Sequence, residues 1–151
     1  MQLAYRRSRE SLQEAANVPP VVLLHAFPVD SRMWREQLSS LQGPADVVAF
    51  DLRGYGRSEA GEEPFTLGLL ADDVLQTLAS LFPVGIRAVF GGCSMGGYLA
   101  FEIWRRRPEA VAGLILCDTR AEADTEEIRT RRRDQVEKIR AEGPEFLPRL
   151  M

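Results

Sequence analysis

The chain has 151 residues, enough for one domain with a buried core, and 45% of them are hydrophobic while 27% are charged. Its formal net charge of −3 gives no electrostatic reason to expect a nucleic acid as a partner. The first residues lack the apolar core of a signal peptide, and no apolar run approaches the ~20 residues of a membrane span, so we expect a cytoplasmic protein that does not enter a membrane.

Short apolar runs alternate with segments of helical periodicity along the chain. The run "VVLL" at 21–24 is bounded by prolines and predicts a strand that is buried on both faces. After it, Asp30 and Ser31 are candidate caps for a helix whose apolar residues extend to Leu41. The next apolar run predicts a second buried strand at Val47–Phe50.

The same alternation continues in the next part of the chain. Apolar residues between 67 and 81 recur at helical spacing behind Thr66, a predicted N-cap. A third strand, "IRAVFGG", leads into a helix that carries three arginines in its last turn and stops at Pro108. A fourth strand, "VAGLILCD", follows. The order βαβαβαβ predicts an α/β fold: a mostly parallel sheet with helices on both faces.

The character of the chain changes near residue 121. The segment "EADTEEIRTRRRDQVEKIRAEG" is polar nearly all round, which is typical of a solvent-exposed helix rather than a core element. We therefore predict a core over residues 1–120 and a distinct segment over residues 121–151.

The stretch "FGGCSMGGYLAF" at 90–101 places Ser94 between glycines, where a strand should turn into a helix. Gly92, Ser94 and Gly96 match the G-x-S-x-G nucleophile elbow. In such an elbow a strained turn lifts the serine above the end of the strand, and the glycines let strand and helix approach. The alternative is a glycine-rich turn with an ordinary serine, but the strand–turn–helix context favours a nucleophile.

No cofactor or metal site is predicted. The glycines around Ser94 are not followed by the Lys-Ser/Thr pair of a phosphate-binding P-loop. The stretch "RGYGRSEA" has Glu59 where the third glycine of a dinucleotide fingerprint belongs. The two cysteines, Cys93 and Cys117, flank strands and form no metal-ligand or disulfide pattern, as expected in a reducing compartment.

Three motifs follow one another along the chain: "HAFP" at 25–28, "DLRGYGRS" at 51–58 and "GCSMGG" at 92–97. In this order they resemble the oxyanion segment, the Asp-x-Arg-Gly-x-Gly-x-Ser loop and the elbow of the α/β-hydrolase fold superfamily. One departure is Ala26, where the family usually has glycine, and its methyl group is tolerable if φ is negative. The chain is most similar to small esterases, enol-lactonases and cofactor-free haloperoxidases.

The resemblance implies a serine hydrolase that acts on a small ester, lactone or related acyl substrate. Ser94 would attack the acyl carbonyl. The backbone N–H groups of Phe27 and Met95 would hold the oxyanion, each lowering the barrier by ~3 kcal/mol. Asp51 and Arg53 would tie a loop beside the site rather than take part in catalysis.

The base that should activate Ser94 is missing from this sequence. The order expected in the family is serine, acid, histidine, and no histidine follows Ser94. The one histidine, His25, matches a buried supporting residue of the oxyanion segment rather than a base. Asp118, at the end of the fourth strand, could orient a histidine or cap the strand, and the cap is favoured.

The resemblance implies that the acid and the base lie on later loops, beyond a helical lid that begins near residue 121. We therefore expect a C-terminally truncated hydrolase whose 151 residues show little or no activity alone. The alternative is a non-catalytic α/β-hydrolase-like module that keeps the elbow and binds a ligand. The expected partner is a small acyl substrate, with no nucleic acid, membrane or cofactor.

Overall fold

Five strands and four helices make up the regular structure of the residues that the computed structural model describes, which are 1–8, 18–41, 45–62 and 64–147. The strands are β1 (Tyr5–Arg7), β2 (Val21–Leu24), β3 (Val47–Phe50), β4 (Ala88–Cys93) and β5 (Val111–Cys117). The helices are α1 (Arg35–Ser40), α2 (Leu67–Leu81), α3 (Met95–Arg106) and α4 (Glu126–Glu142), with 3₁₀ turns at Ser31–Trp34 and Pro108–Ala110. Among these residues no helix is both long and apolar enough to cross a membrane.

The strands form one sheet in the order β1-β3-β2-β4-β5. Strands β2 to β5 run parallel, and Leu24 at the end of β2 lies opposite Phe50 of β3 and Gly92 of β4. The carboxyl ends of these three strands therefore meet at one edge, from which the three sequence motifs continue. The predicted α/β fold with a mostly parallel sheet is confirmed.

The antiparallel edge strand β1 was not predicted from the sequence. It pairs with β3, so that Tyr5 lies opposite Phe50. Its three residues, Tyr-Arg-Arg, show neither an apolar run nor a clear alternation of apolar and polar residues. The segment is extended because its backbone forms hydrogen bonds with the edge of β3. The local sequence pattern does not indicate pairing of this kind with a distant strand.

Helices cover both faces of the sheet, as the element order predicts. Successive side chains of β2 point to opposite faces. The core on the first face lies between the sheet and helices α2 and α3. Its buried side chains include Val22, Leu24, Val48 and Phe50 of the strands and Leu70, Val74, Leu99 and Ile103 of the helices. The core on the second face lies between the sheet and the 3₁₀ turn with α1. It includes Leu23, Val47 and Ala49 of the strands and Trp34 and Leu38 of the turn and helix.

The helix predicted after β2 begins as a 3₁₀ turn and becomes α-helical only at Arg35. Asp30 is its cap, because its carboxylate accepts the N–H of Arg32 at 2.8 Å.

The chain divides into two compact units, Met1–Arg120 and Ala121–Met151. The second unit contains α4, which Thr125 caps by accepting the N–H of Ile128. No residue of α4 is buried, in line with its polar sequence. The interpretation of this unit as the beginning of a lid stays a prediction.

Candidate active site

Ser94 forms the turn between β4 and α3. Its φ of 50° and ψ of −110° lie in a region that residues other than glycine rarely adopt. The Ser94 N–H donates to the carbonyl of Cys117 at 3.0 Å, and the Ser94 carbonyl accepts from the Gly97 N–H at 3.0 Å and from the Thr119 hydroxyl at 2.9 Å. These bonds hold the strained backbone in place. Among the described residues the Ser94 side chain makes no hydrogen bond that caps α3, and this half-buried residue lies at the positive end of the helix.

Two glycines allow the turn to be this tight. A Cβ atom on Gly92 would overlap the backbone of Gly96, in the first turn of α3. A Cβ atom on Gly96 would overlap the carbonyl group of Leu24 and lie 2.9 Å from the carbonyl oxygen of His25. The first turn of α3 is therefore pressed against the end of β2, and the elbow lies directly beside the segment that carries Phe27.

His25 fixes that segment from inside the core. Its Nε2 accepts the N–H of Leu52 at 3.0 Å, so the remaining ring proton is on Nδ1, which donates to the carbonyl of Ala26 at 2.9 Å. The side chain is fully buried, and burial lowers its pKa below the ordinary 6.5, although the Ala26 carbonyl and the charges of Asp51 and Asp30 act in the opposite direction. Both ring nitrogens are engaged, so His25 is a structural residue here and is not placed to take a proton from Ser94.

The predicted oxyanion donors both lie at this edge of the sheet. Phe27 follows β2 and is 39% exposed, and its ring lies edge-on to that of Tyr55 at a centroid distance of 6.3 Å. Met95 is the first residue of α3. In the described part of the chain, neither the N–H of Phe27 nor that of Met95 donates to a protein acceptor. The adjacent Ala26 has no positive φ, which is why the methyl group in place of the family's glycine is accommodated.

The loop after β3 is held by buried carboxylates. Asp51 accepts the N–H groups of Ser31 at 2.9 Å and Arg57 at 3.1 Å. Burial alone would raise the pKa of Asp51, but the hydrogen bonds from Ser31 and Arg57 outweigh it and leave the pKa below the ordinary 3.8. Arg53 forms a bidentate ion pair with Asp73 of α2, in which two guanidinium nitrogens donate to the two carboxylate oxygens at 2.7 and 2.9 Å. These contacts explain the polar motif at 51–58 as a brace for the loop beside the site.

One feature of the site had no signal in the sequence. Asp118, directly after β5, has a φ of 43° and is, with Ser94, one of two described non-glycine residues with positive φ. The turn it makes allows Thr119 to reach the Ser94 carbonyl, so the ends of β4 and β5 brace each other. Aspartate tolerates the left-handed region better than most residues, but nothing in "LCDTRA" marks this position.

Known proteins resemble the chain in sequence and in fold. Residues 19–145 match the model of the family described as alpha/beta hydrolase fold. The chain is 42% identical to mouse epoxide hydrolase 3 over 104 residues (68% of this chain, 28% of the relative) and 31% identical to 3-oxoadipate enol-lactonase 1 of Acinetobacter baylyi over 121 residues (80% and 44%). A thermophilic esterase from Thermogutta terrifontis matches the structure with a TM-score of 0.84 and 39% identity, over 99% of this chain and 52% of the esterase.

The chain spans about half or less of the length of these proteins. The match to the family model nevertheless includes every strand of the parallel sheet and the turn at Ser94. The chain therefore belongs to the α/β-hydrolase fold family.

Proposed function

We propose that the chain supplies the nucleophile and the oxyanion hole of a serine hydrolase that acts on a small ester, lactone or related acyl substrate. The observation that carries the proposal is the backbone of Ser94. Positive φ in a serine that neither caps the helix nor fills the core is strain with no structural benefit, and such strain is concentrated at functional sites.

The chemistry follows from the groups at this edge of the sheet. The Ser94 hydroxyl oxygen attacks the acyl carbonyl carbon while its proton passes to a base. The carbonyl oxygen becomes an oxyanion, which the N–H groups of Phe27 and Met95 stabilise by ~3 kcal/mol each. The intermediate then expels the alcohol oxygen, which takes up the proton, and the acyl group remains on Ser94. Attack by water on this new ester releases the acid and restores the hydroxyl.

A carbonyl substrate fits these groups better than an epoxide does. Attack of a serine oxygen on an epoxide carbon would form an ether, which water does not cleave under mild conditions, and the enzyme would be trapped after one turnover. Attack on an ester or lactone forms an acyl-serine, which water can hydrolyse. The free N–H groups of Phe27 and Met95 also suit a developing carbonyl oxyanion. The relatives named above include an epoxide hydrolase as well as an esterase and an enol-lactonase, so they support hydrolysis in general.

Ser94 needs a base other than His25. His25 is the one histidine of the sequence, and both of its nitrogens are already bonded. Loss of a member of the catalytic triad typically lowers turnover by a factor on the order of 10⁴ to 10⁶. The 151-residue chain alone should therefore hydrolyse p-nitrophenyl acetate barely above background.

Added imidazole provides the test, because a small base in solution can partly replace a missing histidine. Hydrolysis of p-nitrophenyl acetate is followed with increasing imidazole for the wild-type chain, Ser94→Ala and Ser39→Ala. Ser39 is an exposed serine of α1 and serves as the matched control. We expect an imidazole-dependent rate above the solution reaction for the wild type and Ser39→Ala, and none for Ser94→Ala.

Two results would contradict the proposal. Equal rates for the wild type and Ser94→Ala at every imidazole concentration would favour a non-catalytic module that only binds a ligand. Ser94-dependent consumption of styrene oxide, with no effect of Ser94 on the ester, would show that the substrate class is wrong.

A further inference from the structure

The two cysteines of the chain lie side by side in the sheet. Cys93 is the last residue of β4, Cys117 is the last residue of β5, and the two are register partners in the parallel ladder. They are 24 positions apart in sequence, so the sequence pattern alone does not bring them together. Both are free thiols.

The two side chains also point to the same face of the sheet. Register partners in neighbouring strands share a face, and side chains alternate along each strand. Cys93 packs at the edge of the cluster formed by Leu23, Trp34, Leu38, Ala45, Val47 and Ala49, on the face away from α2 and α3. Burial raises the pKa of the Cys93 thiol, and the neighbouring Cys117 acts in the same direction.

Small reagents can reach this pair. Both cysteine residues are partly exposed in this chain, and Ile115, which is on the same face two residues before Cys117, is 47% exposed. Neighbouring strands are about 4.8 Å apart, which falls within the range of about 4.4–6.8 Å between the Cα atoms of a disulfide. The Cα spacing of register partners therefore suits a disulfide, whose formation also requires the two Cβ atoms to approach to about 3.5–4.5 Å.

We propose that Cys93 and Cys117 form a cross-strand dithiol that is oxidised to an intramolecular disulfide by exchange with a small disulfide such as oxidised glutathione. One cysteine thiolate attacks a glutathione sulfur, forms a mixed disulfide and releases one reduced glutathione. The second cysteine thiolate then attacks the protein sulfur of the mixed disulfide and releases the second reduced glutathione. Two protein thiols are oxidised and one glutathione disulfide is reduced to two thiols, so electrons and protons balance.

The bond would be adjacent to the candidate site. Cys93 immediately precedes Ser94, and Cys117 provides the carbonyl that accepts the Ser94 N–H. The disulfide would therefore join the two strand ends that position the elbow. The proposal concerns these two thiols alone and does not depend on hydrolase activity.

The experiment treats the reduced chain, at low protein concentration, with oxidised glutathione and analyses it by intact mass and by non-reducing peptide mapping. We expect the native chain to lose two hydrogen atoms, to resist alkylation and to give one peptide pair that joins Cys93 to Cys117. Dithiothreitol should reverse the change. Cys93→Ser and Cys117→Ser should each retain a single bound glutathione instead.

A sample in urea is the control for the role of the sheet. Native structure should raise the ratio of cross-linked to doubly glutathionylated product by at least about tenfold, because the fold holds the second thiol next to the mixed disulfide. The proposal is overturned if the native chain takes up two glutathiones, forms only intermolecular dimers, or stays unmodified while the sample in urea reacts.

Discussion

The buried His25 should make the stability of the chain depend on pH in a window that belongs to this residue alone. Its pKa in the folded state is lowered below the ordinary 6.5, chiefly by burial. The unfolded chain therefore binds more protons than the folded chain at pH values between the two pKa values. The free energy of unfolding should consequently fall as the pH drops below about 6.5, with a slope of at most about 1.4 kcal/mol per pH unit.

Other titrating groups do not obscure this window. The pKa values of Asp30, Asp51 and Asp73 are lowered from the ordinary 3.8, so the stability that these carboxylates contribute is lost only at still more acidic pH. His25 is the single histidine of the sequence. Glu102 and Glu109, whose pKa values are lowered from the ordinary 4.5, lose their contribution below about pH 5.5, so the range from about 5.5 to 6.5 reports on His25.

The matched variant is His25→Gln, whose amide can still accept the Leu52 N–H but does not titrate. Urea unfolding measured at several pH values should show the slope in the wild-type chain and its loss in the variant. At pH 7 the variant should be about 1–3 kcal/mol less stable, because its amide matches the two buried partners less well than the imidazole does. A flat wild-type profile, or the same slope in both proteins, would refute the view that burial holds His25 neutral in the folded chain.

Two further predictions concern the supports of the site. Asp51→Asn replaces one carboxylate oxygen by an NH₂ group that must face the N–H of either Ser31 or Arg57, and it should cost about 1.5–3 kcal/mol in urea unfolding. Asp72→Asn, at an exposed ion pair, should cost less than about 1 kcal/mol, and equal costs would contradict the bracing role of Asp51. Gly96→Ala should destabilise the chain by about 2–3 kcal/mol, because the new methyl group overlaps the Leu24 carbonyl. In the control Gly113→Ala the methyl group meets only the Val89 side chain at 3.8 Å, and the free energy of unfolding should change by less than about 0.5 kcal/mol. A Gly96→Ala variant as stable as Gly113→Ala would show that the elbow is looser than described.

The fold could be predicted to the extent that single segments carry their own signal. "VVLL" and "VVAF" are apolar runs because both faces of a parallel sheet are covered, and the spacing of residues 67–81 follows the face that α2 buries. The strand β1 escaped prediction because its conformation depends on pairing with β3. The 3₁₀ start of the first helix could not be predicted, because helical spacing does not distinguish a 3₁₀ helix from an α-helix over so few residues.

In the candidate site too, the features that depend on a local motif could be predicted, and those that depend on distant contacts could not. Ser94 was predictable because the elbow needs glycines at fixed positions, and the motif is local. The engagement of both His25 nitrogens, the positive φ of Asp118 and the pairing of Cys93 with Cys117 depend on contacts between segments far apart in sequence. The roles of Phe27 and Met95 as oxyanion donors stay predictions.

The central claim, that Ser94 is a nucleophile that lacks its base, is tested most directly by mapping where a fluorophosphonate reacts. The wild-type chain and Ser94→Ala are incubated with the probe, with and without imidazole, and the labelled peptide is sequenced by mass spectrometry. We expect slow labelling of the wild type that imidazole accelerates, with the phosphonyl group on Ser94, and no labelling of the variant. Labelling on another residue, rapid labelling of Ser94 without imidazole, or no labelling with it would contradict the account.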